Sequence, residues 1–358
     1  MSTIYFICPD SNKPAGGIKK IYRQVDILNE AGFSASVLHE MPDFRCNWFK
    51  NNTKISYNRS IYKDLYKKIN RKKGLLLSIK KSIQYLISSL TKKNNSVKAR
   101  VNKNDILVFP ELFGNNISDI KRGIKKVIYN QGCYQTFFGY NLDLKNLETP
   151  YLESDFIATI VNSDDAVNYI KHVFPKIKLF KIRHGLDVEK FNFKEKKLNT
   201  IAYMPRKLRN DLVQVINILK FRGVLNNWHF IEIDKMTEEE VAKKMQESTF
   251  FINFSGNEGF GIPVIEAMAC GCVVLGYSGK GGNEFFKKEF SYKIEDGNVQ
   301  EFSRTLEQVL LKFETEKSKI LNKGLLASKF VLNEYSLKNE VSDTIKVWNE
   351  ILKLKDDK

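Results

Sequence analysis

Asn257-Glu258-Gly259-Phe260-Gly261-Ile262-Pro263-Val264-Ile265-Glu266-Ala267-Met268-Ala269-Cys270-Gly271-Cys272 is the stretch that decides the reading of this chain. Just before it, Thr249-Phe250-Phe251-Ile252-Asn253-Phe254 is short, apolar and β-prone, which predicts a buried strand. Proline near the first turn and glycine as the stop predict a helix over Pro263–Cys270. Val273–Tyr277 predicts a second buried strand. The result is a βαβ unit whose glycine-rich turn lies at the carboxyl end of a strand, where open α/β sheets bind ligands.

The residue types in that turn suit a polar, anionic ligand. Gly259 and Gly261 have no Cβ to keep a ligand away from the backbone N–H groups. The positive end of the helix opening near Pro263 favours a phosphate. Glu258 lies in the loop, free to accept hydrogen bonds from a polyol, and Glu266, seven residues further on, stands about one turn into the helix. One acid for a sugar, glycines for a diphosphate and one acid for a ribose describe a sugar nucleotide. The competing account is a buried βαβ unit whose acids only cap a helix.

Glu258, Gly259, Phe260, Gly261, Pro263, Glu266, Ala267, Ala269 and Gly271 resemble the signature of the retaining glycosyltransferases of family four (glycosyl transferases group 1). That resemblance implies an α/β chain of the GT-B fold, two Rossmann-like domains facing an interdomain cleft. It implies that Glu258 contacts the donor sugar, that Glu266 holds the ribose, and that Gly259, Phe260, Gly261 and Ile262 line the donor. The same family carries an Arg, with a Lys about five residues later, after the first strand of its second domain. Thr200–Met204 predicts that strand, and Arg206 after it matches, implying a cation that meets the departing diphosphate. No Lys falls at the usual spacing, so Lys207 and Arg209 stand as candidates, and a merely solvated basic turn is the alternative. Gly281-Gly282-Asn283-Glu284 resembles the segment that closes the family's donor pocket. Arg183-His184-Gly185-Leu186-Asp187 resembles its hinge, with His184 in place of the usual Asn.

The N-terminal half repeats the βα pattern. Met1–Pro9 reads as a first buried strand rather than a secretory leader, and after it Ile18, Ile21, Tyr22, Val25 and Leu28 share one face of a helix. Between them Gly16-Gly17 makes an anion-friendly turn, which the resemblance places beside the donor diphosphate and acceptor; a plain tight turn is the alternative. Further strands are expected at Ile106–Phe109, Lys126–Tyr129 and Phe156–Val161. Asn130-Gln131 follows one of them and is the candidate acceptor contact, against a turn chosen for its geometry alone. Ser163 is expected to cap a helix over Asp164–Val173, which explains the paired acids in its first turn. With no Asp-x-Asp sequence to hold a metal against a diphosphate, metal-independent chemistry without a cofactor is expected.

The length, 358 residues, suits two domains with a core each. The expected division is 1–185, an acceptor-binding domain; 186–340, the nucleotide-sugar domain; and 341–358, a helix crossing back to the first. Helices are expected over Val299–Phe313 and Ser336–Leu354. Five cysteines without paired spacing fit free thiols in a reducing cytoplasm. No run of eighteen apolar residues is present. An insertion at 50–103 falls outside the family pattern: sixteen Lys or Arg and one acid, Asp64, supply +15 of the formal +17. Within it Leu76, Ile79, Ile83, Leu86, Ile87 and Leu90 recur at helical spacing. No recognition motif accompanies the charge, which argues against nucleic acid and leaves a solvated insertion or a peripheral contact with an anionic membrane. The expected activity is polysaccharide biosynthesis: retaining transfer from a nucleoside diphosphate sugar to a cell-envelope glycan or lipid-linked acceptor. The rivals are a GT-B sugar nucleotide epimerase and a non-catalytic glycan-binding subunit.

Overall fold

A computed structural model of the chain describes residues 2–69, 96–118, 120–143, 145, 147–225 and 227–356. The expected amphipathic helix around Leu75 to Leu90 lies outside the described residues. The chain divides into two compact units, the first made of residues 1–162, 167–182 and 341–358, the second of residues 163–166 and 183–340.

The first unit is built on an eight-stranded sheet. Its strands are β1 (Ile4–Ile7), β2 (Ala35–His39), β3 (Ile55–Tyr57), β4 (Val97–Lys98), β5 (Ile106–Pro110), β6 (Lys125–Tyr129), β7 (Phe156–Val161) and β8 (Leu179–Lys181), all parallel, in the order β4-β3-β2-β1-β5-β6-β7-β8. Parallel strands are covered on both faces, so β2, β5 and β7 are buried along their whole length, without alternation. Helix α1 (Gly16–Glu30) turns Ile21, Tyr22, Val25 and Leu28 inward. Ala31 ends it, and Gly32 follows with a φ of 86°. Helix α2 (Arg59–Ile69) lies across the carboxyl ends of the strands: the Tyr62 hydroxyl accepts from Cys8 N (3.0 Å) and lies 2.7 Å from Leu38 O. Helix α3 (Asp164–Val173) follows β7.

The second unit carries a five-stranded parallel sheet. Strands β9 (Leu198–Tyr203), β10 (His229–Glu232), β11 (Ser248–Asn253), β12 (Val273–Tyr277) and β13 (Ser291–Ile294) take the order β10-β9-β11-β12-β13. Its helices are α4 (Arg209–Phe221), α5 (Glu238–Glu247), α6 (Ile262–Ala269) and α7 (Val299–Glu334). Helix α7 is two helical stretches joined across a kink at Glu316, so the first ends close to the expected Phe313 and a second follows it to Glu334. Past the kink Ile320, Ala327 and Val331 are buried, so apolar packing holds the second stretch. The last helix, α8 (Leu337–Asp356), contributes Val341 onward to the first unit, where Trp348 packs 5.7 Å from Phe6. All five cysteines are free and buried. Cys270 and Cys272 direct their thiols at the carbonyls of Ala242 and Met245, which accounts for both as packing residues.

Candidate functional site

Because every strand of the second sheet is parallel, the carboxyl ends of β9, β11 and β12 lie side by side on one edge. Each strand sends a loop from that edge. After β9 come Arg206 and Lys207, then Leu208 in the left-handed region (φ 42°), and Arg209 opens α4. After β11 comes the Glu258 turn, closed by Gly261 at φ 101°, where a side chain would be strained; Ile262 and Pro263 then begin α6. Two helix N-termini and three basic side chains therefore come from neighbouring strand ends, a setting suited to an anion.

Backbone contacts fix the position of Glu258. Its N–H donates to Gly279 O (2.8 Å), and its carbonyl accepts from Gly281 N (3.1 Å). A Cβ on Gly281 would lie 2.3 Å from Gly259 O, and one on Gly279 would lie 2.7 Å from Glu258 Cβ. Both positions therefore exclude any side chain. Between them Lys280 takes φ 68° and ψ −61°, an uncommon conformation for a residue with a side chain, and forms an isolated bridge with Glu258. The loop after β12 is thus a mould for the loop after β11. Sequence reasoning missed Gly279 and Lys280; the run Gly279-Lys280-Gly281-Gly282 was the available signal.

Lys207 Nζ is in direct ion-pair contact with the Glu258 carboxylate. Burial and the neighbouring Arg206 charge push Lys207 down to about 8, while the Glu258 contact acts in the opposite sense. The ammonium is therefore charged at pH 7. The Glu258 carboxylate is half-buried, its charge already balanced by Lys207, and Arg206, next to Lys207 in the chain, is exposed. Glu266 is half-buried in α6. Phe260 sends its ring inward, 5.0 Å from His184 and 5.4 Å from both Phe285 and Tyr335, so only its backbone remains for a ligand. His184 is 2% exposed and packs against the signature turn through that ring contact.

Residues 163–166 join the same unit through the signature loops. Ser163 Oγ donates to Gly259 O (2.7 Å) and accepts from Ala166 N (3.1 Å), so the expected helix cap also holds the glycine turn. Glu284 accepts from Asp164 N (2.7 Å) and from the Tyr335 hydroxyl (2.8 Å).

In the first unit, Gly16 and Gly17 open α1, and Gly17 O accepts from Gln131 Nε2 at 3.1 Å. Asn130 is fully buried and donates its amide to Thr136 Oγ1 and Tyr151 OH, which makes it an interior residue. Of the expected acceptor pair, only Gln131 stays partly accessible. Glu111, another residue that sequence reasoning missed, accepts from Gln131 N at 3.0 Å. Burial pushes its carboxyl up to about 7, against the pull of the backbone N–H groups of Gln131 and Gly132.

Residues 210–323 match the family described as Glycosyl transferases group 1. An alpha-1,6-glucosyltransferase of Actinobacillus pleuropneumoniae serotype 7 is 29% identical over 161 residues, 43% of this chain. The match spans just under half (46%) of that relative's length. Among solved structures, S. aureus TarM in complex with fondaparinux, alpha-GlcNAc-glycerol and UDP superposes with a TM-score of 0.63 at 12% identity, covering 98% of this chain and 99% of that one. Anabaena HepE in complex with UDP and glucose gives 0.61 at 14% identity, covering 99% and 100%. At such identities the likeness is one of fold, and the fold is GT-B.

Proposed function

With residues 210–323 matching the group 1 glycosyltransferases, we propose that the chain is a retaining glycosyltransferase. It moves a sugar from a nucleoside diphosphate sugar to a cell-envelope glycan or lipid-linked acceptor, without a metal. The observation that carries this reading is the junction after β9 and β11, where Lys207 contacts Glu258 beside a left-handed glycine that opens a helix. Glu258 positions the hydroxyls of the donor sugar and Glu266 the ribose. Arg206, Lys207, Arg209 and the N–H groups from Gly259 to Ile262 balance the diphosphate. As the glycosidic bond breaks, negative charge grows on the departing phosphate, and fixed cations and helix N-termini stabilise it there. The acceptor hydroxyl attacks the anomeric carbon on the leaving-group face and its proton passes to the departing phosphate, so no protein nucleophile takes part. In the first unit, the Gly16-Gly17 turn and Gln131 serve the acceptor side.

Uridine donors are the first to test, because the similar TarM and HepE structures hold UDP. Thermal shift with UDP, UDP-glucose and UDP-GlcNAc should raise the unfolding midpoint, and Glu258→Ala should lose transfer while still folding. Wild-type transfer by a folded Glu258→Ala chain would refute the assignment. An epimerase would turn over donor with no acceptor present, and a non-catalytic subunit would bind glycan without consuming donor. The basic stretch 50–103 completes the proposal by holding the enzyme on an anionic membrane surface.

A further inference from the structure

Among the described residues, most exposed large apolar side chains are scattered singly along the sequence, but five crowd into residues 137–152. Phe137 is 42% exposed, Phe138 63%, Leu142 98%, Leu147 84% and Leu152 63%. The base of this segment is held firmly. Phe137 packs edge-on against Tyr140 at 5.4 Å, and Tyr140 OH donates to Thr149 Oγ1 at 2.9 Å. The segment also sits tightly on the turn after β5, since a Cβ on Gly114 would lie 2.0 Å from Phe138 O. Exposure here therefore belongs to a braced loop with apolar residues outward, an arrangement that marks a contact surface.

Charge selects the occupant. The same turn after β5 also supports α2, through Tyr66 and Phe113 at 6.4 Å. The chain that leaves α2 continues in sequence as Arg71-Lys72-Lys73. The loop itself is close to neutral, with Lys145 between Asp143 and Glu148. An apolar loop braced on the turn that supports the start of a strongly basic stretch fits a surface with anionic headgroups over hydrocarbon. We propose that Phe138 and Leu142 insert into the interfacial layer of an anionic bilayer. This rests on the membrane part of the proposed function and is independent of glycosyl transfer.

The test is co-sedimentation of the full chain with vesicles of phosphatidylcholine, alone or with about a third phosphatidylglycerol, at low and high salt. Phe138→Asp/Leu142→Asp changes only exposed side chains, so its unfolding midpoint should match the wild type. The variant should bind the anionic vesicles at least tenfold more weakly, about 1.4 kcal/mol. Wild type should keep more binding than the variant at high salt, because insertion is not screened. Equal binding by the two proteins overturns insertion and leaves docking by charge alone. No binding by wild type to either vesicle overturns both. If vesicle binding is equal but the variant loses self-association in light scattering, or loses binding of a soluble oligosaccharide, the loop serves that partner and the proposal fails. Donor is absent throughout, so none of these outcomes bears on transfer.

Discussion

Gly281→Ala tests directly whether the loop after β12 sets the position of Glu258. The new Cβ would meet Gly259 O at 2.3 Å and Glu258 O at 2.7 Å, whereas ordinary contact begins at 3.4 Å. Both obstacles are backbone, so no side chain can swing aside. The two loops must part by about 1 Å, and a misplacement of about that size costs roughly a hundredfold in rate, about 2.7 kcal/mol of transition-state stabilisation. Gly223→Ala is the control. It also has a positive φ, 71°, but nothing lies within 4 Å of the added methyl, so it should lose about 1 kcal/mol of stability and no activity. Initial rates across donor concentration should show kcat falling in Gly281→Ala, while circular dichroism confirms a folded chain. Wild-type kcat in a folded Gly281→Ala protein would refute the template argument, whatever the fate of Glu258→Ala.

Glu266→Ala should weaken nucleotide binding by a few kcal/mol at most, by removing charge-assisted hydrogen bonds, and calorimetry with UDP reads this directly. Activity should survive EDTA; loss restored by Mn²⁺ or Mg²⁺ would show that a metal balances the diphosphate. Glu111 makes a prediction about pH. Its folded-state value of about 7 lies above the unfolded 4.5, so the unfolded chain releases the proton first. Stability should then fall as pH rises from about 4.5 to about 7 and level off above, by up to about 3 kcal/mol. Glu111→Gln should flatten denaturant-derived stability over that window, and equal slopes in the two proteins would contradict the assignment.

The signature turn was legible because its information is local. Strand β11, the glycine turn, helix α6 and strand β12 follow one another within 30 residues, each written in side-chain pattern and stop signals. Phe156–Val161 and Asp164–Val173 were legible for the same reason and match β7 and α3 residue for residue. What stayed hidden depends on pairing across the chain. The run Gly279-Lys280-Gly281-Gly282 signals a tight turn near the donor pocket but does not name Glu258 as its contact; adjacency of β11 and β12 in the sheet brings those loops together. Glu111 carries no periodic signal either, since one acid at the end of an apolar strand becomes unusual only once Gln131 from the next strand closes over it. Helix α7 bends at Glu316, close to the end expected at Phe313, and beyond the bend Gly324 lets the second stretch reach Gly271 O, 2.2 Å from where a Cβ would stand. Both glycine contacts follow one rule. Where two backbones meet in this second unit, the sequence shows only a glycine, and the parallel order of the strands determines what it meets.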